Sequence, residues 1–216
     1  MATLTHRSGY RRTAVLAASL LVLASSACGS EASPPPTPTT SADARTYASQ
    51  TFSIGLTVTL PEDLKLEANP DSVTLLSWDS NLAQENAVRF VLPVNLYKPK
   101  QLKPVAPPQN YLAYLRSLTA QGATYADEKT TTVDGHAATL MTGDTAEPLD
   151  GVLGCPKVST PPADCFGLQP DLSLRIAVID INGKTLLAWA RAEKNATDVP
   201  AFFAEFEAML KGLKFT

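Results

Sequence analysis

Leu172-Ser173-Leu174-Arg175-Ile176-Ala177-Val178-Ile179-Asp180-Ile181-Asn182-Gly183-Lys184-Thr185-Leu186-Leu187-Ala188-Trp189-Ala190-Arg191 is the stretch on which the fold turns. Two apolar runs flank Asn182-Gly183. That dipeptide is the strongest short signal for a type I′ hairpin, because both central positions of the turn need positive φ. Leu172, Leu174, Ile176 and Val178 share one face of the first run, while Ile179 and Ile181 lie on the other. A strand that is apolar on both faces is covered on both. The hairpin is therefore expected near the centre of a sheet, with packed material on each side.

The neighbouring stretches extend that sheet. Residues 129–141 place Asp134-Gly135 between two strand-like runs, a second hairpin. Residues 52–60 alternate strictly, with Phe52, Ile54, Leu56, Val58 and Leu60 on one face, and Pro61 ends the run. A shorter strand is expected over 72–78, with Val73, Leu75 and Trp78 in the core. A third is expected over 87–97, with Val88, Phe90, Leu92, Val94 and Leu96 on one face. Pro93 on its opposite face predicts an edge strand or a bulge.

Two helices complete the pattern. Pro107-Pro108 are expected to open the first, which sets Tyr111, Leu112, Leu115 and Leu118 on one face and ends at Gly122. The second is expected to start from Asp198 as N-cap with Pro200 in its first turn. Phe202, Phe206, Met209 and Leu213 form its apolar stripe, Glu205, Glu207 and Lys211 face water, and Gly212 closes it. No repeat of 20 to 50 residues is visible. The fold class is α+β: an antiparallel sheet of about six to seven strands packed by two helices.

The N-terminal part has a different character. Arg7, Arg11 and Arg12 precede the apolar run 13–23, and small residues lead to Cys28. A bilayer-crossing helix needs roughly 20 apolar residues, so this run is too short to be one. A charged start, a short apolar stretch and small residues before a cut describe a secretory signal. Ser25-Ser26-Ala27-Cys28 is similar to a lipobox, with Ser25 where Leu or Val is usual. Residues 1–27 are thus expected to be a lipoprotein signal peptide and Cys28 the lipidated first mature residue. An ordinary signal peptide with an incidental Cys28 is the alternative. Arg11-Arg12 also admits twin-arginine export. Residues 28–46 are Ser, Ala, Thr and Pro, too polar to pack, and read as a disordered tether. The domain proper is expected over 47–216.

Charge and cysteines narrow the function classes. The formal charge is −3, and it becomes −6 once residues 1–27, with three arginines and no acid, are removed. An acidic chain lacks the basic footprint of a nucleic-acid binder. Once Cys28 is set aside, Cys155 and Cys165 remain, an even pair in an exported protein, which favours a disulfide. Free thiols, a redox pair and a metal pair are the alternatives. A redox pair would prefer C-x-x-C spacing, and a metal pair would need further soft ligands.

The order of elements resembles the Mog1p/PsbP-like fold and, within it, the LpqN-type lipoproteins of actinobacteria. The resemblance rests on the lipobox followed by an Ala/Thr/Pro tether and on the strand Ser53-Ile54-Gly55-Leu56-Thr57-Val58-Thr59-Leu60-Pro61. It rests also on the ending, a strand into the final helix and Leu213-Lys214-Phe215. It spans about 47–216. The Pro-rich loop 94–109 and the loop 155–165 depart from it. The resemblance implies a surface-displayed binding or accessory domain rather than an enzyme, and no cofactor.

Individual residues offer few sites. Lys98, Lys100 and Lys103 lie in a Pro-rich loop and are candidate contacts to anionic lipid or wall polymer, or simply solubilising. Phe166, with Trp78 and Trp189, is a candidate lining of a ligand groove or a core element. Asp144, Glu147, Asp150, Asp164 and Asp171 gather near the cysteines but lack calcium-loop spacing. His136, the single histidine of the mature chain, has no G-x-S-x-G or other nucleophile motif beside it. The expected function is an extracytoplasmic, membrane-anchored lipoprotein. Its domain binds a partner protein of the envelope, a lipid or a small-molecule ligand, and the membrane is held through an N-terminal diacylglycerol. A hydrolase with an unfamiliar site and a structural envelope spacer are the alternatives.

Overall fold

The computed structural model describes residues 45–80 and 86–216. The signal peptide, Cys28 and the tether up to residue 44 lie outside the described residues. Arg45 and Thr46, expected in the tether, open the first strand, β1 (Arg45–Ala48). It pairs with β2 (Leu56–Leu60), where Leu56, Val58 and Leu60 are buried and alternate with wetter threonines. The strand expected over 52–60 thus begins at Leu56. Its first four residues bend instead, although Phe52 stays buried. Asp71 organises that bend by accepting backbone N–H bonds from Gln50, Thr51 and Phe52 and the hydroxyl of Tyr47.

β3 (Leu64–Asp71), β4 (Leu75–Ser80) and β5 (Ala87–Val91) follow as an antiparallel meander. Sequence pattern missed β3, a polar stretch containing Pro70 at the edge of the sheet. β4 starts three residues later than expected, and Val73, assigned to the core, is 56% exposed. β5 corrects a larger expectation. It is no edge strand. It lies between β4 and β13 (Lys184–Glu193), with Val88 and Phe90 buried on one face and Val91 on the other. It ends before Pro93, where the chain leaves the sheet, and Val94 and Leu96 go to other surroundings. Beyond it, β6 (Leu96–Tyr97) and β7 (Pro104–Val105) form a small ribbon.

The first helix, α1 (Tyr111–Ser117), is capped by Asn110, whose side chain accepts the Ala113 N–H at 2.9 Å. Pro107-Pro108 lie before the cap rather than in the first turn. Asn supplies the acceptor that an orphan N–H requires and proline cannot. A 3-10 turn over Leu118–Gln121 continues the helix to Gly122, whose φ of 98° closes it as expected. Both hairpins form. β8 (Ala123–Val133) and β9 (His136–Thr145) join at Asp134 and Gly135, with φ of 48° and 82°. β12 (Leu172–Ile181) joins β13 at Asn182 and Gly183, with φ of 53° and 83°. Between the hairpins, β10 (Leu149–Gly154) and β11 (Phe166–Leu168) form a two-stranded ribbon. The second helix, α2 (Val199–Gly212), has Asp198 at its cap, but the carboxylate makes no capping bond. β14 (Lys214–Phe215) then returns to pair with β2.

The main sheet runs β3-β4-β5-β13-β12-β9-β8, seven strands, every neighbouring pair antiparallel. One face carries Trp78, Phe90, Leu140, Ile179 and Ile181. It is covered by Phe202, Phe206 and Met209 of α2, by Leu213 just past the end of the helix, and by β2. The other carries Val91, Met141, Leu174, Ile176 and Trp189, and is covered by α1 and the β10–β11 ribbon. Coverage of both faces is why β12 and β13 are apolar at both parities. The fold is α+β, as expected. Among the described residues, no helix is long and apolar enough to cross a membrane.

Candidate functional site

Two loops are built around Tyr97. Its ring packs in a small cluster with Cys155 and Cys165, whose sulfurs are bonded with Cα atoms 4.6 Å apart. The expected disulfide is thus present, and it closes the loop that links β10 to β11. The loop is tied to the body at three further points. The backbones of Val94, Asn95 and Cys155 bridge at 2.9 and 2.8 Å. The Thr74 hydroxyl donates to the Pro156 carbonyl at 2.6 Å. The Tyr97 hydroxyl donates to the Thr160 carbonyl at 2.8 Å. Close approach here requires glycine. A Cβ on Gly151 would lie 2.9 Å from the Tyr97 ring, and one on Gly154 would lie 2.7 Å from Pro93.

The second loop begins at the residue after Tyr97 and caps the β6–β7 ribbon. Gln101 N–H donates to the Lys98 carbonyl at 3.0 Å. Pro99 and Lys100 are then the central residues of a turn, with Lys100 at φ 63°. Type II turns take Pro first and prefer Gly second, so lysine occupies a position where it is conformationally costly. The disulfide loop repeats the arrangement. The Thr160 hydroxyl bonds the Lys157 carbonyl at 3.0 Å, and Ser159 has φ 60°.

The two turns share a surface chemistry. Lys98, Lys100 and Lys103 are exposed, as is Lys157. Neither 98–110 nor 156–163 contains an acid. Among the described residues no salt bridge involves any of the four lysines. Beside them stand Leu102, 87% exposed, and Val158, 70% exposed. A lone exposed aliphatic side chain is ordinary. Two stand on constrained turns linked through Tyr97, Leu102 between Lys100 and Lys103 and Val158 beside Lys157, and together they make a candidate patch.

Phe166, next to Cys165 in sequence, is occupied by neighbours. Its ring meets Trp189 edge-on at 5.1 Å, and the Arg89 guanidinium sits 5.4 Å from its centroid. Arg89 also donates to the buried Ser77 hydroxyl at 3.1 Å. Trp78 packs on the opposite face of the sheet, against Tyr47 and Phe90. The structure therefore keeps Phe166 and Trp189 together and separates Trp78 from them, on the other face of the sheet.

His136 sits at the far hairpin end, edge-on to Phe215 at 5.2 Å, beside a cleft of about 340 Å³ that Lys184 and Asn182 also line. The nearby carboxylate, Asp134, is taken by Lys214 at 2.9 Å and by the Phe215 N–H at 2.8 Å. These bonds, that from Lys214 foremost, hold its carboxyl below the usual range. A larger cleft, about 440 Å³, opens beside α1 over Thr130, Thr139, Val178 and Thr185. The acids near the cysteines disperse: Asp144 faces Lys194 at 3.5 Å and Asp150 accepts from Gln169 at 2.8 Å. Among the described residues, no three His, Cys, Asp or Glu side chains converge as a metal site would need.

One polar cluster was invisible to pattern reasoning. Arg175, only 4% exposed, lies on the inward face of β12 beneath α2. It donates to Glu207 at 2.9 Å, and to the Asp127 carbonyl and the Thr142 hydroxyl, each at 3.1 Å. Lys129 reaches the same glutamate at 2.6 Å. Glu207 was expected to face water and instead anchors the helix to the sheet. Burial pushes its pKa up, but the bonds from Lys129 and Arg175 win and hold it below the ordinary carboxylate range. The signal that could have found this cluster is a single arginine inside an otherwise apolar central strand, since such a charge needs a partner.

No family model matches the chain, and no curated protein matches it. Among solved structures the chain is similar to cyanobacterial PsbP from Synechocystis sp. PCC 6803. The identity is 9%, the match covers 88% of this chain and 98% of that one, and the TM-score is 0.45. It is also similar to the Ran-binding protein Mog1p of Saccharomyces cerevisiae, at 9% identity, 80% and 96% coverage, and a TM-score of 0.44. At these scores the assignment of fold rests on the chain's own strand order and on its two covered faces.

Proposed function

We propose that the chain is an extracytoplasmic lipoprotein of the LpqN type, anchored in the cell membrane through Cys28. Its α+β domain is a non-enzymatic binding or accessory module for an envelope protein, a lipid or a small ligand. The observation that carries this reading is the pair of constrained turns around Tyr97. Each displays an exposed aliphatic side chain, Leu102 between Lys100 and Lys103 and Val158 beside Lys157, and a disulfide holds one of the turns in place. A disulfide suits an oxidising, extracytoplasmic setting. The signal-like run before Cys28 supports export, and the surroundings of His136 offer no nucleophile hydrogen-bonded to it among the described residues.

The reading is tested by fractionating cells that express the wild-type chain or Cys28→Ser. The wild type should sediment with membranes and carry a diacylglyceryl mass on its first mature residue. The variant should appear in the soluble or secreted fraction. A variant that stays membrane-bound in the same proportion places the anchor elsewhere. Crosslinking from intact cells through residue 102 or residue 158 then identifies what the patch meets.

A further inference from the structure

The patch around Tyr97 has chemistry that discriminates between classes of partner. Protein-binding hot spots are concave or flat, with aromatic residues and arginine at their centre. Here the exposed apolar groups are single aliphatic side chains on turns, Leu102 and Val158, and every basic residue of the two loops is a lysine. Lysine presents a compact point charge with three donors, suited to phosphates that are not fixed in one geometry, whereas arginine suits planar bidentate partners. The surroundings favour a surface. The loops carry four lysines and a single acid, Asp164 beside Cys165, in a chain whose overall formal charge is −3. Near an anionic bilayer, lysine-bearing loops of an acidic chain are the part that attraction draws inward. The turns are also held in shape beforehand, by the disulfide, by the Tyr97 hydroxyl and by Pro99, Pro104, Pro156, Pro161 and Pro162. Little ordering remains to oppose contact.

We propose that the 98–103 turn and the disulfide loop together dock the domain on an anionic phospholipid bilayer. Leu102 and Val158 enter the headgroup layer, while Lys98, Lys100, Lys103 and Lys157 lie against lipid phosphates. The proposal rests on the lipoprotein reading for its location and names the lipid surface as the partner. A basic residue near such a surface contributes about 1 kcal/mol, or about fivefold in partition. Neutralising Lys98, Lys100 and Lys103 should therefore weaken docking on the order of a hundredfold.

The experiment uses the purified mature chain, residues 28–216, carrying Cys28→Ser and Leu102→Trp, mixed with vesicles of brominated phosphatidylcholine with or without phosphatidylglycerol. The native Trp78 and Trp189 are 0% and 1% exposed, so bromine in the acyl chains reaches only the introduced indole. Leu102 makes few contacts to lose, and unchanged near-ultraviolet circular dichroism verifies the fold. Blue-shifted, quenched emission is expected on vesicles containing phosphatidylglycerol. It should weaken as salt rises through physiological strength and collapse when the three lysines are replaced by glutamine. Emission that is unquenched on anionic vesicles overturns the proposal, and so does equal quenching on pure phosphatidylcholine. Neither result depends on Cys28, so a failure here is distinct from a failure of the lipid anchor.

Discussion

The Tyr97 hydroxyl donates to the Thr160 carbonyl across 2.8 Å, joining residues 63 positions apart. It is the link between the two exposed turns, since one turn begins at the next residue and the other contains Thr160. A net hydrogen bond of this kind contributes about 1 kcal/mol. Tyr97→Phe should therefore cost about that much in urea unfolding. The specific readout is hydrogen exchange. Amides of residues 156–164 should exchange faster, while those of β12 and β13 keep their rates. Uniform acceleration across the sheet would mean that the ring, not the hydroxyl, carries the effect.

The disulfide bounds a loop of about eleven residues. Chain-entropy arithmetic gives it a stabilising effect of about 2.7 kcal/mol. Cys155→Ala with Cys165→Ala should lower the urea midpoint accordingly and leave far-ultraviolet circular dichroism intact, because the seven-stranded sheet lies apart from the loop. A wild type whose midpoint ignores reductant, with both thiols shown to be alkylated, would contradict this.

Glu207 joins α2 to the sheet through Arg175. Removing one partner of a buried ion pair strands the other. Glu207→Ala should cost about 3 kcal/mol at neutral pH, and adding Arg175→Met should restore most of it. The pH dependence follows from the lowered pKa. A carboxyl whose folded pKa lies below its unfolded value, about 4.3, contributes stability above that value and loses it as pH falls through the folded one. The gap between wild type and Glu207→Gln should thus be constant from pH 7 down to about 5 and shrink below about 4. A gap that widens in acid would reverse the sign.

Lys100 holds φ 63° where glycine is at ease. Lys100→Gly should raise stability by roughly 1 kcal/mol in thermal unfolding. The same substitution should weaken docking on phosphatidylglycerol vesicles about fivefold. Opposite signs in the two measurements would identify the lysine as kept for contact rather than for folding. A stability loss would show that the turn relies on the lysine side chain.

What could be read from sequence was local. Asn182-Gly183 and Asp134-Gly135 fixed two hairpins because positive φ at both turn positions leaves few alternatives. The stripe Phe202, Phe206 and Met209 was legible because it repeats with the helical turn, whereas Leu213, expected in it, lies just past the helix in extended backbone. The central position of β5 was not. Pro93 argued for an edge, yet the strand had already ended. The strands β1, β10, β11 and β14 are short, polar or broken by glycine, and form only because a distant partner is present. Of the candidate site, the lysines and the cysteine pair could be named from sequence. Their meeting around Tyr97 could not, since the contacts with Thr160 and Thr74 span 63 and 82 positions.

The outermost strand of the main sheet has a final consequence. β8 is one edge of the sheet, and most of its residues are exposed. A long, straight, open edge invites another copy to pair along it. Here the pairing with β9 slips between Ala126 and Lys129. Asp127 takes φ 51° at that slip, and Glu128 and Lys129 stand beside it. The kink and the charges interrupt the row of free backbone groups that a second chain would need. A second copy is therefore denied a continuous backbone edge to zip along at β8.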